Sequence, residues 1–403
     1  AADVLRAVEF ARARDLPLAV RSSGHSFAGL GTVDDGVVVD LSEMKAVSVD
    51  PARRTVWAQP GASSSDLAAA TQPHGLALST GDTGSVALGG LTTGGGIGLL
   101  SRKFGLTIDS LRAVEVVTAD GRLLVANDDQ HRDLFWAIRG GGDNFGVVTG
   151  FEFDLQPVGN VLGGILILPA SVDILRNFAD YAVTAPDELT TIASLMRTPP
   201  LPMVPAELHG KPALFILACY AGDPDEGQRV LAPLRALAKP IADLIQPMPY
   251  AAIYNLGGGA PPRAAVTTKS GMLQDLSDEV IQLLVNDLYT AFDPFGLVQL
   301  RPLGGAIARV SNDATAFAHR DKAFTLALIN LGTERENQQW VDRMWSALQP
   351  HTSGAYVNFL GEVGQRQRDD VYPARTYARL AEVKRRYDPT NLFKHNQNVE
   401  PAQ

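Results

Sequence analysis

The sequence predicts an α+β fold in two domains, and three observations carry that expectation. The chain has 403 residues, beyond the roughly 250–300 at which one hydrophobic core stops growing. Up to about Val158 its texture is uniform, with short strands and short helices punctuated by glycine. From about Gly159 the glycine clusters thin out and the helical segments lengthen, with strand-length apolar runs such as "PALFILACYAG" and "FTLALINLG" among them.

Each element follows in order. Val4, Leu5, Val8 and Phe10 recur at helical spacing, and "LPLAVRSSGHS" then reads as a short strand running into a turn. "GVVVDLSEMKAVSVDPARRTVWAQPG" reads as short strands with a turn at Asp50-Pro51. "SSSDLAAATQPHG" offers a helix capped by Ser and Asp and stopped by Gly75. "LRAVEVVTADGRLLVA" is two strands joined at Asp120-Gly121. "HRDLFWAIRGGGDNFGVVTGFEFDL" is a helix broken by three glycines and followed by a strand. Further helices are expected over residues 171–184, 226–238 and 277–291, separated by the Pro-rich links "RTPPLPMVP" and "GGGAPPR". After Tyr372 come the helix "ARTYARLAEVKRRY" and the amide-rich tail "DPTNLFKHNQNVEP".

Composition excludes several functions. A net charge of −9 argues against nucleic acid or an anionic membrane as partner, since phosphate binding needs clustered Lys and Arg. The longest apolar run, residues 161–168, is strand-sized, well short of the roughly 20 residues a membrane span needs. A lone cysteine, Cys219, excludes an intrachain disulfide and a cysteine zinc site, and mildly favours the cytoplasm. The chain opens without Met, already inside a helical pattern. A missing start is therefore expected, and the lack of a signal peptide decides nothing.

Four stretches could carry chemistry. In "GDTGSVALGGLTTGGGIG" dense glycine permits positive φ and close approach to a ligand, and exposed N–H groups can line a pyrophosphate. A nucleotide cofactor and a flexible loop are equally consistent with it. No Gly-Lys-Ser/Thr follows, and strand, fingerprint, helix and acid do not occur in Rossmann order. The second cluster, "RGGGDNFGVVTGFEF", sets Asn144 either to bond a ring edge or to shape a turn. Asn396 and Gln397 in the tail suit a heterocycle's polar edge or a self-satisfied turn. His25, in "VRSSGHSFAG", reads as a base, a metal ligand, a nucleophile or a plain loop histidine. The other histidines are scattered, and no G-x-S-x-G elbow occurs.

Together, "RSSGHS", "GDTGSVALGGLTTGGGIGLLSRKFGLTIDSL", "RGGGDNFGVVT" and "YDPTNLFKHNQN" resemble, in order, the FAD-linked oxidases of the berberine bridge enzyme-like type. These belong to the vanillyl-alcohol oxidase and p-cresol methylhydroxylase superfamily. The glycine stretch and "HRDKAFTLALINLG" are especially similar to bacterial members that oxidise hydroxylated N-heterocycles. The resemblance implies an FAD-binding domain over residues 1–158, completed by residues 372–403. Residues 159–371 would form a substrate domain of antiparallel sheet backed by helices.

It also implies that His25 bonds covalently to the methyl carbon at flavin position 8. Arg21, Ser22, Ser23, Gly24 and Ser26 would surround that link. Gly81, Thr83, Gly84, Ser85, Val86, Gly89, Gly90, Gly94 and Gly95 would cradle the cofactor, with Ile108, Asn144, Gly146, Val148, Asn396 and Gln397 completing its contacts. Many relatives place a second-link cysteine where Thr83 stands, so a single link is expected. Asp143 replaces a frequent glycine and Leu91 a frequent histidine. Val86 matches a position whose small side chain leaves room for O2. The expected reaction passes hydride from a small-molecule alcohol, sugar, amine or N-heterocycle to flavin N5, with O2 as oxidant and hydrogen peroxide as product. The alternatives are a dehydrogenase with another acceptor and a non-catalytic flavin binder.

The "AYVNFLG" element keeps Tyr356 and Asn358 of the relatives' "YxNY", with Phe359 in place of the second tyrosine. Relatives often carry an acid on the strand matching "AFTLALINLG"; here Asn330 is its internal polar group. Tyr356, as a tyrosinate of lowered pKa, and Asn330 are the expected catalytic residues. Tyr254, Tyr220, Arg301 and Asn330 are the expected pocket liners. Either a monomer or a homodimer is expected.

Overall fold

The computed structural model describes residues 1–256, 266–290, 296–331 and 335–403; the link at residues 257–263 lies outside them. Among the described residues two large antiparallel sheets dominate. The first has five strands in the order Val47–Asp50, Thr55–Ala58, Val147–Asp154, Leu111–Val117, Leu123–Asn127. One of its hairpins turns at Gly121, where glycine suits the positive φ of 81°, and another at Arg54, which takes φ 52° without that freedom. Phe151 and Phe153, both fully buried, stack 5.6 Å apart in its core. Each contributes on the order of 2 kcal/mol of apolar burial.

That core is closed from the far end of the chain. Leu380, Ala381, Val383 and Tyr387, on the helix Ala374–Tyr387, pack into the same cluster as Val56, Val114 and Phe151. Beside them Lys384 and Asp388 form a fully buried ion pair at 2.8 Å. Lys384 Nζ also donates to the carbonyls of Asn144 and Phe393, both at 2.7 Å. The charge is held against burial, which pushes the Lys384 pKa down, by Asp388 and Asp143.

The second sheet runs Ala242–Asp243, Asn160–Pro169, Pro212–Tyr220, Leu189–Arg197, Gly296–Pro302, Phe324–Asn330, Thr267–Leu273, with Gln246–Pro249 beside Asn160–Pro169. Successive side chains on a strand face opposite ways, so the sheet has two distinct faces. On one, Leu195, Val298, Leu300, Phe324, Leu326 and Leu328 join a core with Leu175, Leu231, Leu284, Val341 and other helix residues. The opposite face turns toward the glycine segment, because Ile192 packs with Leu99 and Leu100 and Met272 with Ile97 and Tyr356.

The expected helices appear with small shifts. Ser171 and Asp223 are N-caps, of Val172–Thr184 and Pro224–Arg235. The third expected helix is Asp278–Thr290, and its forecast last residue, Ala291, lies outside the described residues. The Ser63–Asp66 capping box starts Ser64–Thr71 as its sequence indicates. The helix Arg335–Leu348 was not anticipated, although Trp340, Val341, Met344 and Leu348 recur at helical spacing.

Buried arginines tie the second sheet and its loops to the glycine segment and the turn after it. Arg102, on a short helix of the glycine segment, donates to the carbonyls of Leu189, Leu303 and Ala185. Arg320 grips Asp109 with two bonds, at 3.0 and 2.7 Å. Among the described residues no helix is long and apolar enough to cross a membrane.

Candidate functional site

The histidine loop lies directly on the glycine segment. Ser23 Oγ accepts the Ala87 N–H at 2.9 Å, and His25 Nε2 lies 3.1 Å from Ser85 Oγ. A Cβ at Gly89 would collide with the Ser22 hydroxyl, which is why that position carries glycine. Gly24, at φ +76°, and Gly90 instead face open space. Their lack of a side chain relieves no clash within the protein, and it leaves room for a bound molecule alongside. Desolvation lowers the His25 pKa, opposed by a hydrogen bond to the Ser85 backbone, so the imidazole is neutral at pH 7.

Farther along the segment, the Tyr356 hydroxyl oxygen accepts the Gly96 N–H at 2.9 Å and an Asn358 amide hydrogen at 2.9 Å. Asn358 also donates to the carbonyls of Gly90 and Leu91. A Cβ at Gly94 would drive into the Asn358 carboxamide, so glycine there admits the "AYVNFLG" element. Edge-on contacts pack Tyr356 against Phe359 at 4.8 Å and Phe317 at 6.0 Å. Arg301 stacks over Phe359 at 4.5 Å and bonds Asp82 at 2.7 Å, an ion pair joining the second sheet to the glycine segment.

The expected catalytic details need correction. Burial raises the Tyr356 pKa, outweighing its hydrogen bonds and the nearby Arg301, so this residue is a phenol at neutral pH and not the expected tyrosinate. Asn330 shares the parity of Phe324, Leu326 and Leu328 on its strand, which pack on the helix-backed face. It therefore points away from the glycine segment and is neither catalytic nor a liner. Tyr220 falls on that same outer face, against Gly227 of the helix Pro224–Arg235. Arg301 and Tyr254 do lie on the inner side; Tyr254 bonds Thr80 at 2.6 Å.

Some expected cofactor contacts are also already used. Asn144 Nδ2 donates to Gly141 O at 2.8 Å and its Oδ1 accepts the Val399 N–H at 2.9 Å. Its side chain thus shapes the turn and ties it to the tail instead of offering a free group. The Ile108 N–H is taken by Gly95 O, and its side chain packs with Tyr356 and Phe317. Gly146 precedes the strand Val147–Asp154, where a Cβ would crowd Val117 O, and Val148 pairs on one side with Val116.

The remaining residues fit a flavin nucleotide. Asn396 Oδ1 and Gln397 Oε1 are buried acceptors without a partner, although their amide nitrogens donate to Phe393 O and Glu362 O. Thr92 Oγ1, on the glycine helix, is also buried and unpaired. Leaving such atoms unmet costs on the order of 1–3 kcal/mol each, which a polar ligand would recover. Ser26, Thr83 and Ser85 lie exposed, with Arg21 and Val86 half-buried beside them. Arg21 pairs with Asp40 at 3.1 Å, and Gly81, Gly84 and Gly95 are packed tightly by Leu91, Ser65 and Phe317.

An α+β protein of two sheets, with a neutral histidine against a glycine segment and unmet amide carbonyls, has the architecture of a flavin-dependent oxidoreductase. Residues 1–127 match the family described as FAD binding domain, and residues 355–400 the one described as berberine and berberine like. The chain is 31% identical to an FAD-linked oxidoreductase of Bacillus subtilis, YgaK, over 99% of this chain and 89% of that one. It is 30% identical to (R)-6-hydroxynicotine oxidase of Paenarthrobacter nicotinovorans, over 100% of this chain and 89% of that one. The crystal structure of 6-hydroxy-D-nicotine oxidase from Arthrobacter nicotinovorans superposes with a TM-score of 0.88 at 28% identity, covering 99% of this chain and 90% of that one. The chain belongs to the berberine bridge enzyme-like family of FAD-linked oxidoreductases, with the two-domain fold of the vanillyl-alcohol oxidase type.

Proposed function

We propose that this chain is an FAD-dependent oxidase that carries its flavin on a single covalent bond from His25. It would oxidise a small-molecule alcohol, sugar, amine or N-heterocycle, with O2 as electron acceptor. The observation that carries this reading is the His25–Ser85 contact at 3.1 Å, which presents a neutral imidazole beside open space at Gly24 and Gly90. Bound FAD would supply the hydride acceptor and the reaction with O2 that yields hydrogen peroxide.

The protein's own groups have distinct tasks. His25 keeps an unprotonated ring nitrogen for the bond, because desolvation disfavours its charged form. Asn396 and Gln397 offer carbonyl oxygens to the heterocycle's N–H edge. Tyr356, its oxygen already accepting from Gly96 and Asn358, is left to donate its own O–H. We assign that donation to the heteroatom of the substrate, which orients the reacting carbon. Cys219 is fully buried, its thiol pushed up to about 12 by burial, which supports one covalent link only.

We take residues 1–158 and 372–403 as the FAD-binding domain and 159–371 as the substrate domain, in the cytoplasm. Acid precipitation tests the link: the yellow colour should stay with the wild-type pellet and be released from His25→Ala. Anaerobic bleaching by a substrate, followed by one peroxide per turnover on aeration, tests the oxidase assignment. Release of all flavin from the wild type, or bleaching without peroxide, would refute the corresponding half.

A further inference from the structure

The inner face of the second sheet forms a wall whose chemistry narrows the substrate. We propose that it selects an uncharged, largely apolar molecule and grips one polar edge of it with Gln299 and Ser194. This rests on the FAD-linked reading above, since the substrate is placed between the sheet and the glycine segment.

Strand register lays out the wall. Ser194 pairs with Phe215 on one side and Gln299 on the other, and Gln299 pairs with Ala327. In the next row, Arg301 and Thr325 lie side by side and Arg301 reaches Asp82. The half-buried members of this face are mainly apolar: Phe215, Leu217, Met196, Leu297 and Ile329. Half-buried Gln299 and Ser194 are the polar pair among them. They meet only at 3.4 Å, from Gln299 Nε2 to Ser194 Oγ, near the limit of a hydrogen bond. The Gln299 carbonyl and its second amide hydrogen are therefore open to a ligand.

Charge on this face is already balanced. Arg301, nearly buried, is matched by Asp82, and Arg320 by Asp109. Lys269 has the opposite parity to Ser270 and Met272 on its strand, and pairs with Glu362. Among the described residues of this face, a cationic substrate would meet no unpaired carboxylate, and an anionic one no unpaired cation. A sugar chain needs polar partners at successive positions, whereas the half-buried residues of this face are mainly apolar. A primary carboxamide is complementary to a neutral edge that both donates and accepts, such as a lactam or an amide.

The test uses purified holoenzyme, its flavin content read first from the visible spectrum. A colourless protein would refute the cofactor reading; the pocket is then tested by calorimetric titration of the same protein. 2-Quinolone is titrated against its near-isostere 2-methylquinoline, against cellobiose and against benzyltrimethylammonium. We expect 2-quinolone to bind about tenfold more tightly than 2-methylquinoline, the effect of one or two neutral hydrogen bonds. Gln299→Leu and the near-isosteric Gln299→Met should both erase that difference without lowering the melting temperature. Cellobiose and the ammonium should not saturate at concentrations that saturate 2-quinolone. Absence of 2-quinolone binding, tighter binding of cellobiose or the cation, or a preference that survives both substitutions would overturn the proposal.

Discussion

The hydroxyl of Tyr356 accepts the backbone N–H of Gly96 at 2.9 Å, across 260 residues of sequence. This bond joins the "AYVNFLG" element to the glycine segment and leaves the phenol proton to point elsewhere. Tyr356→Phe should therefore lower the rate of anaerobic flavin reduction by about a hundredfold, the cost of losing a group that orients the reacting carbon, while flavin content stays at the wild-type level. Because burial raises the Tyr356 pKa above its ordinary value of 10, ionisation of this group should not appear in the rate profile between pH 6 and 9. A Tyr356-dependent rise in that window would show that the phenol is not held protonated.

Asn330 gives the opposite expectation. It lies on the helix-backed face with Leu326 and Leu328, so Asn330→Ala should cost stability without changing turnover per folded enzyme. A melting curve and a kcat determination on the same preparation decide this.

The Arg301–Asp82 pair joins the second sheet to the glycine segment, with side chains 8% and 21% exposed. Asp82→Asn leaves a nearly buried guanidinium without its counter-charge and should destabilise the protein by about 3 kcal/mol. The double variant Arg301→Met with Asp82→Asn should recover part of that loss in a denaturant titration. Equal melting of wild type and Asp82→Asn would mean that the pair contributes nothing.

His319 couples stability to pH. Its Nε2 lies 2.9 and 3.0 Å from the carbonyls of Asp370 and Val371, and burial lowers its pKa. The folded state therefore binds the proton less readily than the unfolded chain. The His319 contribution is intact above the unfolded pKa near 6.5 and is lost as pH falls through the lowered folded value. The denaturation midpoint should drop on acidification below about pH 6.5, and less so in His319→Gln.

Val86 is half-buried, and its carbonyl accepts the Ser64 N–H at 2.9 Å. On the oxidase reading, Val86→Ile should slow reoxidation by O2 and leave anaerobic reduction near wild type. Stopped-flow traces of the two half-reactions separate these effects.

Local chemistry was legible wherever a residue type answers a local need. The Ser63–Asp66 box, the Asp120-Gly121 turn and the His25 loop each follow from short-range rules, and the joint order of four motifs pointed to the family. Which way a strand residue points was not legible in the central sheet. The strand Phe324–Asn330 is buried on both faces, so its sequence is a continuous apolar run without alternation, and Asn330 gave no hint of its side. Gln299 and Ser194 escaped notice for the same reason, since only the register between distant strands makes them neighbours. The partners of Asn144 were hidden as well, because the Val399 amide that occupies it lies 255 residues away.

The buried Lys384–Asp388 pair should also order events during synthesis. The strands of the second sheet lie within residues 160–330 and can collapse as they leave the ribosome. The first sheet waits for Lys384 to reach Asn144, and for Leu380 and Val383 to fill its core. Until those late residues emerge, the half that would receive FAD is an unfinished shell with exposed apolar surface. Flavin capture on this view follows synthesis of residues 374–399, and nascent chains halted before Ala374 would depend on chaperones.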